Sequence, residues 1–340
     1  MDTSGLRLTN SSSALSNFWH PVARSAEVDF QPRRVVLLGV AYVIYRGIDG
    51  LVAFVDRCAH RLAPLSIGRC EGDSSIRCAY HGWLFDRSGK CIDIPALGPG
   101  VPPPIRARLE GPHSIVERFG MIFIAPKAPV ADLPEVEVAG DAHFMVGEIP
   151  PVSARASAGI MVDNFLDIAH FPFVHAATFG AEESTYVEPY SAEQIGTSAV
   201  LSYEHLFANR EDKGVVTGAR PLLQRRRMTY RYFAPFSVTL RLDFLDSGGT
   251  NLIGFFVQPV DDQSCCLYST LWRDDLAGDE GKMKEAIEFE LKVLEEDLAI
   301  QAAYEELTFP IDTSIEIHTR ADRLTLLMRR ILGELIGSID

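Results

Sequence analysis

The stretch Cys58-Ala-His60 is followed after seventeen residues by Cys78-Ala-Tyr-His81, and this pair of segments decides the fold. Each segment carries one cysteine and one histidine, so two loops together offer four ligands to a metal centre. Zinc sites usually pair like with like, with two cysteines followed by two histidines. A two-iron cluster can instead hold one iron by two cysteines and the other by two histidines. The spacing therefore favours an iron–sulfur cluster over a zinc loop.

Runs rich in β-branched and aromatic residues surround this motif and predict strands. They cover residues 18–22, 27–30, 34–45, 50–56 and 118–125, whereas residues 61–98 predict loops. Three prolines then punctuate an acidic connector: Pro126, Pro129 and Pro134. We therefore predict an all-β domain over residues 1–128 and a second domain over residues 129–340.

The second part of the chain predicts one antiparallel sheet with helices segregated to one side. Its strand-like runs are residues 197–204, 228–233, 237–244, 251–259 and 265–272. Helical spacing covers residues 159–171, 280–307 and 321–336, and Pro172 disfavours helix in the residue before it. The fold class of the whole chain is therefore predicted as α+β.

Composition excludes several classes of protein. The 340 residues include 32 Lys and Arg against 46 Asp and Glu, which gives a net charge of −14. No excess of positive charge is available to bind nucleic acid or an anionic membrane surface. The longest apolar run, residues 35–45, is far shorter than the roughly 20 residues of a membrane-spanning helix. We expect a cytoplasmic protein that binds neither nucleic acid nor membrane.

A second group of polar residues interrupts an apolar segment: Asn164, Asp167, His170 and His175. On one helix the first three would share a side, and Pro172 would let His175 turn back. Two histidines and one carboxylate form the facial triad of mononuclear non-haem iron, which leaves positions open for oxygen. This segment therefore predicts a second metal site.

The predicted helix over residues 280–307 offers three adjacent acids as the carboxylate of that triad: Glu295, Glu296 and Asp297. At about 100° per residue, Asp297 lies on the apolar face, with Glu296 about 100° and Glu295 about 160° away from it. A carboxylate on a buried face needs a partner such as a metal. Glu290 also falls on this face, so helical geometry alone leaves two candidates.

The cysteine–histidine motif resembles the Rieske 2Fe–2S domain, and the second segment resembles the catalytic-iron motif of Rieske non-haem iron oxygenases. The resemblance implies that Cys58, His60, Cys78 and His81 bind the cluster. It also implies that His170 and His175 bind mononuclear Fe(II), together with Asp297, because the family's Glu-Glu-Asp…Gln pattern matches residues 295–301.

In this family electrons pass between neighbouring subunits of a ring-shaped trimer. Asp167 is accordingly expected to bridge a Rieske histidine of one subunit, His81, to His170 of the next. Asn164 is expected either to hydrogen-bond near the iron or to be an ordinary amide on the helix face. The opening Phe18-Trp19-His20-Pro21-Val22 also resembles the compact oxygenases built from one subunit type.

The resemblance implies the terminal oxygenase of a multicomponent system, which activates O2 to hydroxylate or oxidatively demethylate a small aromatic or heteroaromatic compound. Because no dinucleotide-binding motif is present, electrons are expected from NAD(P)H through a separate reductase or ferredoxin. The alternatives are a ring dioxygenase forming cis-diols, a non-catalytic electron carrier, which needs only residues 1–128, and a non-catalytic binding protein. Expected substrate-pocket residues are Phe165, Ile168, Phe179, Phe256 and Leu294, with His205, Asn209 and Asn251 as candidates for polar contacts.

Overall fold

The computed structural model describes residues 5–72, 74–176, 178, 185–209 and 213–339. These residues form two compact units. One unit is Ser11–Val130, and the other combines the described parts of Met1–Asn10 and Ala131–Asp340. Strand β1 (Arg7–Leu8) belongs to the second unit because it pairs with β19 (Phe309–Pro310). The predicted boundary between residues 128 and 129 stays a prediction.

The unit Ser11–Val130 consists of three small antiparallel sheets. They are β10-β11-β2, β3-β4-β5 and β6-β7-β8-β9. The strands are β2 (His20–Arg24), β3 (Arg33–Leu37), β4 (Val40–Gly47), β5 (Gly50–Val55), β6 (Arg69–Glu71), β7 (Ser75–Arg77), β8 (Leu84–Phe85), β9 (Cys91–Asp93), β10 (Ser114–Arg118) and β11 (Met121–Ala125). An apolar core that includes both cluster cysteines lies between the second and third sheets.

Several predicted elements of this unit differ from the structure. The run 34–45 is a hairpin, because Leu38 and Gly39 both have positive φ and turn the chain between β3 and β4. Phe119 and Gly120 divide the run 118–125 in the same way. Residues 27–30 form no strand, and residues 61–98 contain four short strands rather than loops alone.

The second unit is built on one seven-stranded antiparallel sheet, as predicted. Its order is β12-β18-β17-β16-β15-β14-β13. The strands are β12 (Met145–Ala154), β13 (Ala192–Ile195), β14 (Ser198–Ala208), β15 (Leu223–Phe233), β16 (Ser237–Phe244), β17 (Thr250–Asp261) and β18 (Ser264–Arg273). The helices are α1 (Ala158–Leu166), α2 (Phe171–Val174), α3 (Lys213–Val216), α4 (Glu280–Gln301) and α5 (Arg323–Gly337). Helices α1, α4 and α5 pack on the sheet.

The predicted helix 159–171 is two helices, and the prediction that Asn164, Asp167 and His170 share one helix is wrong. Helix α1 ends at Leu166, and Asp167 has extended dihedral angles. The Asp167 carboxylate accepts a hydrogen bond from the Ala169 N–H at 2.8 Å, a local turn that competes with helix. Pro172 lies in the first turn of α2, where a missing N–H costs nothing, so it starts a helix instead of ending one.

A buried ion pair joins α1 to α5. The Arg329 side chain is 2% exposed and bonds Asp163 through both nitrogens of its fork, while Glu316 accepts from the same guanidinium at 2.8 Å. The guanidinium also lies over the Phe309 ring. This pair fixes the helix that carries Asn164. Among the described residues, no helix has both the length and the apolar character needed to cross a membrane.

Candidate metal centres

The two cluster loops share one backbone design. Cys58 follows β5 and Cys78 follows β7, and each N–H donates to a carbonyl five residues later: Ala63 O at 2.8 Å and Trp83 O at 2.9 Å. The residue four positions after each cysteine donates back to the cysteine carbonyl and has a positive φ: 59° at Leu62 and 71° at Gly82. The sequence spacing thus folds into two matching turns that present their side chains toward each other.

These turns place the sulfurs inside and the imidazoles outside. Cys58 and Cys78 are 1% and 2% exposed, whereas His60 is half-buried and His81 is exposed. The two imidazole ring centres lie 4.6 Å apart, and Trp83 stacks on His60 with an interplanar angle of 6°. Burial raises the pKa of the Cys58 thiol to about 11, so a cationic partner is needed to hold it as a thiolate. Two sulfurs on one side and two nitrogens on the other fit a Rieske cluster.

Three donor atoms converge in the second unit. His170 Nε2 and His175 Nε2 are 3.1 Å apart, and Asp297 Oδ1 lies 3.5 Å and 3.3 Å from them. Ligands about 2.1 Å from a metal and near right angles to each other are roughly 3 Å apart, so this set fits one metal ion. A two-histidine, one-carboxylate set holds one face of iron and leaves the other face open.

The three side chains come from two segments. His170 immediately precedes α2 and His175 immediately follows it, so one helical turn holds both imidazoles on the same side. Asp297 projects from α4 and is 9% exposed, which agrees with its predicted place on the buried face. Glu290, the rival that helical geometry left open, lies elsewhere on α4 and does not join the three donors.

The charges at this site favour a cation. Burial lowers the pKa of His170, but the carboxylates of Asp167 and Asp297 outweigh it and raise that pKa to about 9. Burial raises the pKa of Asp297, but the two imidazoles and Asn164 hold it well below its ordinary range. Asn164 also accepts a hydrogen bond from Gln301 at 3.3 Å. The amide predicted to lie near the iron is therefore in contact with the carboxylate of the set.

Glu296 is the site residue that sequence reasoning missed. Its Oε2 accepts hydrogen bonds from His175 Nδ1 at 2.9 Å and from Thr178 Oγ1 at 2.8 Å. Helical angles placed Glu296 outside the apolar stripe, and the family's Glu-Glu-Asp pattern assigned the ligand role to Asp297 and no role to Glu296. The Glu296 carboxylate extends sideways from α4 to the imidazole of His175. This contact could not be predicted from the sequence, because it joins two segments that are far apart in the chain.

Asp167 lies beside His170 at the end of α1. Its Oδ2 is 3.5 Å from His170 Nδ1, while its Oδ1 forms the local turn with Ala169. The side chain is 31% exposed, so one carboxylate contacts the imidazole and solvent at the same time. A carboxylate in this place orients the ring and directs Nε2 toward the other two donors.

An apolar cleft of about 450 Å³, including the part open to solvent, adjoins Asp297. Two predicted wall residues, Phe165 and Leu294, line it, whereas Phe256 and Ile168 are buried and lie outside the lining. Phe179 falls outside the described residues. Of the polar candidates, His205 accepts a hydrogen bond from Arg226, and Asn209 donates to Gln224. Asn251 is buried in β17.

Comparison with known proteins gives independent evidence on both units. Residues 18–115 match the Rieske [2Fe-2S] domain, and residues 154–338 match the vanillate O-demethylase oxygenase C-terminal domain. The chain is 29% identical to methylxanthine N3-demethylase NdmB of Pseudomonas putida, over 94% of this chain and 89% of that protein. It is 32% identical to the toluene-4-sulfonate monooxygenase subunit TsaM1 of Comamonas testosteroni, but over only 57% of this chain and 56% of that subunit.

Solved structures agree with the fold. The structure of Pseudomonas putida NdmA with caffeine has a TM-score of 0.82 and 25% identity, covering 97% of this chain and 93% of that one. Dicamba monooxygenase has the same TM-score at 19% identity, covering 96% and 98%, and shows the fold alone. The chain carries the two cofactor sites of one enzyme family, a Rieske cluster and a mononuclear iron. It belongs to the Rieske non-haem iron oxygenases, oxidoreductases whose catalytic domain here is of the vanillate O-demethylase type.

Proposed function

We propose that this chain is the terminal oxygenase of a multicomponent system and hydroxylates or oxidatively demethylates a small aromatic or heteroaromatic compound. The observation that carries the proposal is the convergence of His170, His175 and Asp297 beside a cleft with mostly apolar walls. The demethylases and monooxygenases among its relatives support the same class of reaction.

The ligands are assigned as follows. Cys58, His60, Cys78 and His81 hold the 2Fe–2S cluster, and His170, His175 and Asp297 hold the mononuclear iron. When bound, the cluster supplies single electrons and the Fe(II) supplies open coordination positions for O2. For a methoxy substrate the balance is one substrate, one O2, two electrons and two protons, giving the hydroxyl product, formaldehyde and water.

The remaining side chains orient and shield these groups. Glu296 fixes the tautomer of His175 by accepting from Nδ1, so Nε2 is the nitrogen left to bind the metal. Asn164 holds the Asp297 carboxylate in place from α1. The side chains of Phe165, Val293 and Leu294 form the apolar wall that removes an aromatic ring from water.

The electron path is proposed to run between copies of the chain. Asp167 is about one third exposed and touches His170, so it can reach a neighbour's His81, which is also exposed. This path requires at least two copies of the chain in contact, and we assign them to the ring-shaped homotrimer that the family resemblance implies, with residues 1–128 storing electrons and residues 129–340 performing catalysis. A separate reductase or ferredoxin reduces the cluster. A cytoplasmic location is consistent with six cysteines that are all free thiols.

The proposal is tested with protein prepared anaerobically and a surrogate reductase. We expect about two cluster irons, two acid-labile sulfides and one further iron per chain. With a panel of methoxylated aromatic compounds, O2 uptake should match formaldehyde release. A cis-diol product would assign ring dihydroxylation instead. Zinc without labile sulfide would contradict the cofactor assignment, and a fully active monomer by equilibrium sedimentation would contradict the trimer.

A further inference from the structure

Asp56 closes the first cluster loop at its base. It lies two residues before Cys58, and its side chain is fully buried. Its carboxylate accepts hydrogen bonds from Ser66 N at 2.8 Å, from Ser66 Oγ at 2.7 Å and from Arg34 Nη1 at 2.7 Å. A buried carboxylate is costly unless it is paired and hydrogen-bonded, so these three bonds stabilise one arrangement. They join the two ends of the loop that carries the first pair of cluster residues.

This loop directs backbone donors at a cluster cysteine. Burial raises the pKa of the Cys58 thiol, and the N–H groups of His60 and Arg61, which donate to its sulfur, lower that pKa in part. Both N–H groups lie between Cys58 and Ser66, so their direction depends on where the loop is held at its end. Hydrogen bonds to the sulfurs help to set the reduction potential of an iron–sulfur cluster.

Arg77 holds the second cluster loop in a similar way. It immediately precedes the second cluster cysteine, and its Nη1 donates to the Gly82 carbonyl at 2.6 Å. The guanidinium is also bonded to Glu71 through Nε at 2.9 Å and to Asp93 through Nη1 at 3.1 Å. Its side chain is 17% exposed. Carboxylates on β6 and β9 thus fix the arginine, and the arginine fixes the turn that carries His81.

The two loops meet at Gly68. A Cβ atom at this position would lie 2.2 Å from the Arg77 carbonyl oxygen and 2.9 Å from the Leu65 carbonyl oxygen, so a larger residue requires the backbone to move. The Gly68 N–H donates to the Leu65 carbonyl at 2.8 Å. The end of the first loop therefore lies directly against the strand that leads into the second. Asp56 and Arg77 hold parts of one packed unit.

We propose that Asp56 and Arg77 are positioning residues of the Rieske centre, which hold its two ligand loops and thereby set its reduction potential. The inference rests on the proposed function, because it takes the four cluster ligands as assigned there. Neither side chain is itself a ligand. Asp56 acts through the two N–H groups on the Cys58 sulfur, and Arg77 acts through the Gly82 carbonyl, whose negative end it compensates.

Two variants of equal charge test Asp56. Asp56→Asn and Asp56→Ala both remove the carboxylate charge, but only asparagine keeps an oxygen that accepts from the Ser66 N–H. The potential of each holoenzyme is measured by redox titration of the EPR signal of the reduced cluster. We expect the alanine variant to have the lower potential, because weaker N–H bonds to sulfur stabilise the reduced cluster less. The expected difference is about tenfold in the ratio of reduced to oxidised cluster, or about 59 mV for one electron.

Asp86 provides the matched control. Its Oδ1 accepts from Ser88 N at 2.8 Å and from Ser88 Oγ at 2.7 Å, the same pair of bonds, but in the turn between β8 and β9. Asp86→Asn and Asp86→Ala should therefore have equal potentials. Equal potentials in the two Asp56 variants as well would overturn the role of Asp56.

Arg77→Lys tests the second loop without a change of charge. An ammonium is a point charge and cannot bond the Gly82 carbonyl and two carboxylates as the planar guanidinium does. We expect its potential to be lower than that of the wild type. Arg69 bonds the same Glu71 from a more exposed position, so Arg69→Lys should keep the wild-type potential. A wild-type potential in Arg77→Lys would overturn the role of Arg77.

The thermal midpoint distinguishes positioning from a structural role. A purely structural role would lower the midpoints of Asp56→Ala and Arg77→Lys and leave their potentials equal to those of their comparison proteins. Should Asp56→Ala fail to fold, Ser66→Ala removes the hydroxyl bond with no change of charge and should lower the potential by a smaller amount; an unchanged potential would overturn the role of Asp56. Wild-type protein without a Rieske EPR signal would overturn both the inference and the ligand assignment, whereas unchanged potentials leave that assignment standing.

Discussion

Glu296 and His175 are 121 residues apart in the chain, yet Glu296 Oε2 accepts a hydrogen bond from His175 Nδ1 at 2.9 Å. The contact decides which imidazole nitrogen carries a proton and which one faces Asp297. It also makes the imidazole a more basic ligand, since a carboxylate stabilises positive charge on the ring. Glu296 therefore influences the metal site through His175, without being a ligand itself.

Replacing Glu296 tests this role. Glu296→Ala should weaken binding of Fe(II) to the catalytic site by about 10–100-fold, the usual effect of losing an outer partner of a metal ligand. Glu296→Gln still offers an oxygen to Nδ1 and should fall in between. The measurement is an iron titration under anaerobic conditions, with Glu295→Ala as the control because Glu295 is exposed on the same helix. Equal iron affinity in both alanine variants would contradict the assignment.

Asp167→Asn should separate electron transfer from assembly. The asparagine keeps an oxygen for the turn with Ala169, but an uncharged NH2 group then faces His170 Nδ1 in place of the second carboxylate oxygen and cannot accept from the imidazole. Both iron centres should be retained, while reoxidation of the reduced cluster by substrate and O2 should become slow. Single-turnover kinetics measures this rate.

Asp297→Asn is the contrasting variant. It changes a proposed ligand, so it should lower occupancy of the mononuclear iron, and the cluster should keep its spectrum. If the cluster of Asp167→Asn is reoxidised at the wild-type rate with iron retained, Asp167 has only a structural role.

Arg329→Met should cost about 3–5 kcal/mol of stability, because it leaves the Asp163 carboxylate unpaired beside a buried site. The thermal midpoint by circular dichroism measures the loss. Arg330→Met is the matched control, since that neighbouring side chain is 60% exposed. Adding Asp163→Asn to Arg329→Met should recover part of the stability, because no buried charge then remains. Equal midpoints for the two methionine variants would contradict a stabilising pair.

His20 should make the unit Ser11–Val130 sensitive to acid. Burial, despite a hydrogen bond to the Leu15 carbonyl, lowers the His20 pKa from 6.5 to about 4. As the pH falls below 6.5, His20 becomes protonated in the unfolded chain but stays neutral in the folded chain. The free energy of unfolding therefore decreases until the pH reaches about 4. The loss is on the order of 3 kcal/mol.

The measurement for His20 is the pH at which half of the visible cluster absorbance is lost at fixed temperature. In His20→Gln that pH should be lower, because the amide can still donate to Leu15 and does not titrate. The exposed residue His113 provides the control as His113→Gln. An unchanged midpoint in His20→Gln would show that another group controls acid lability.

The sequence was most informative where ligand chemistry fixes spacing. The Cys58 and Cys78 turns could be predicted as one site, because each loop supplies one sulfur and one nitrogen. Five strands of the large sheet, β14 to β18, were also predictable, since each overlaps a run rich in β-branched and aromatic residues. Asp297 could be placed on a buried face by helical angle, but its choice over Glu290 required family resemblance.

The remaining features depended on local hydrogen bonds that compete with regular structure and on contacts between segments far apart in the chain. The end of α1 at Leu166 follows from the Asp167 side chain bonding the Ala169 N–H, a local alternative that helical periodicity does not reveal. The hairpin turn at Leu38-Gly39 was not predicted, because both residues lie inside one continuous apolar run.

The division of the ligands between the α2 segment and α4 has a consequence for the lifetime of the protein. A metal ion bound to His170, His175 and Asp297 cross-links two stretches of chain that no disulfide joins. Without that cross-link, the two stretches are joined by the hydrogen bonds of Glu296 to His175 and Thr178 and by contacts among the three donors, and we expect them to separate more readily. We therefore expect a protease to cleave the iron-free protein faster than the iron-loaded protein.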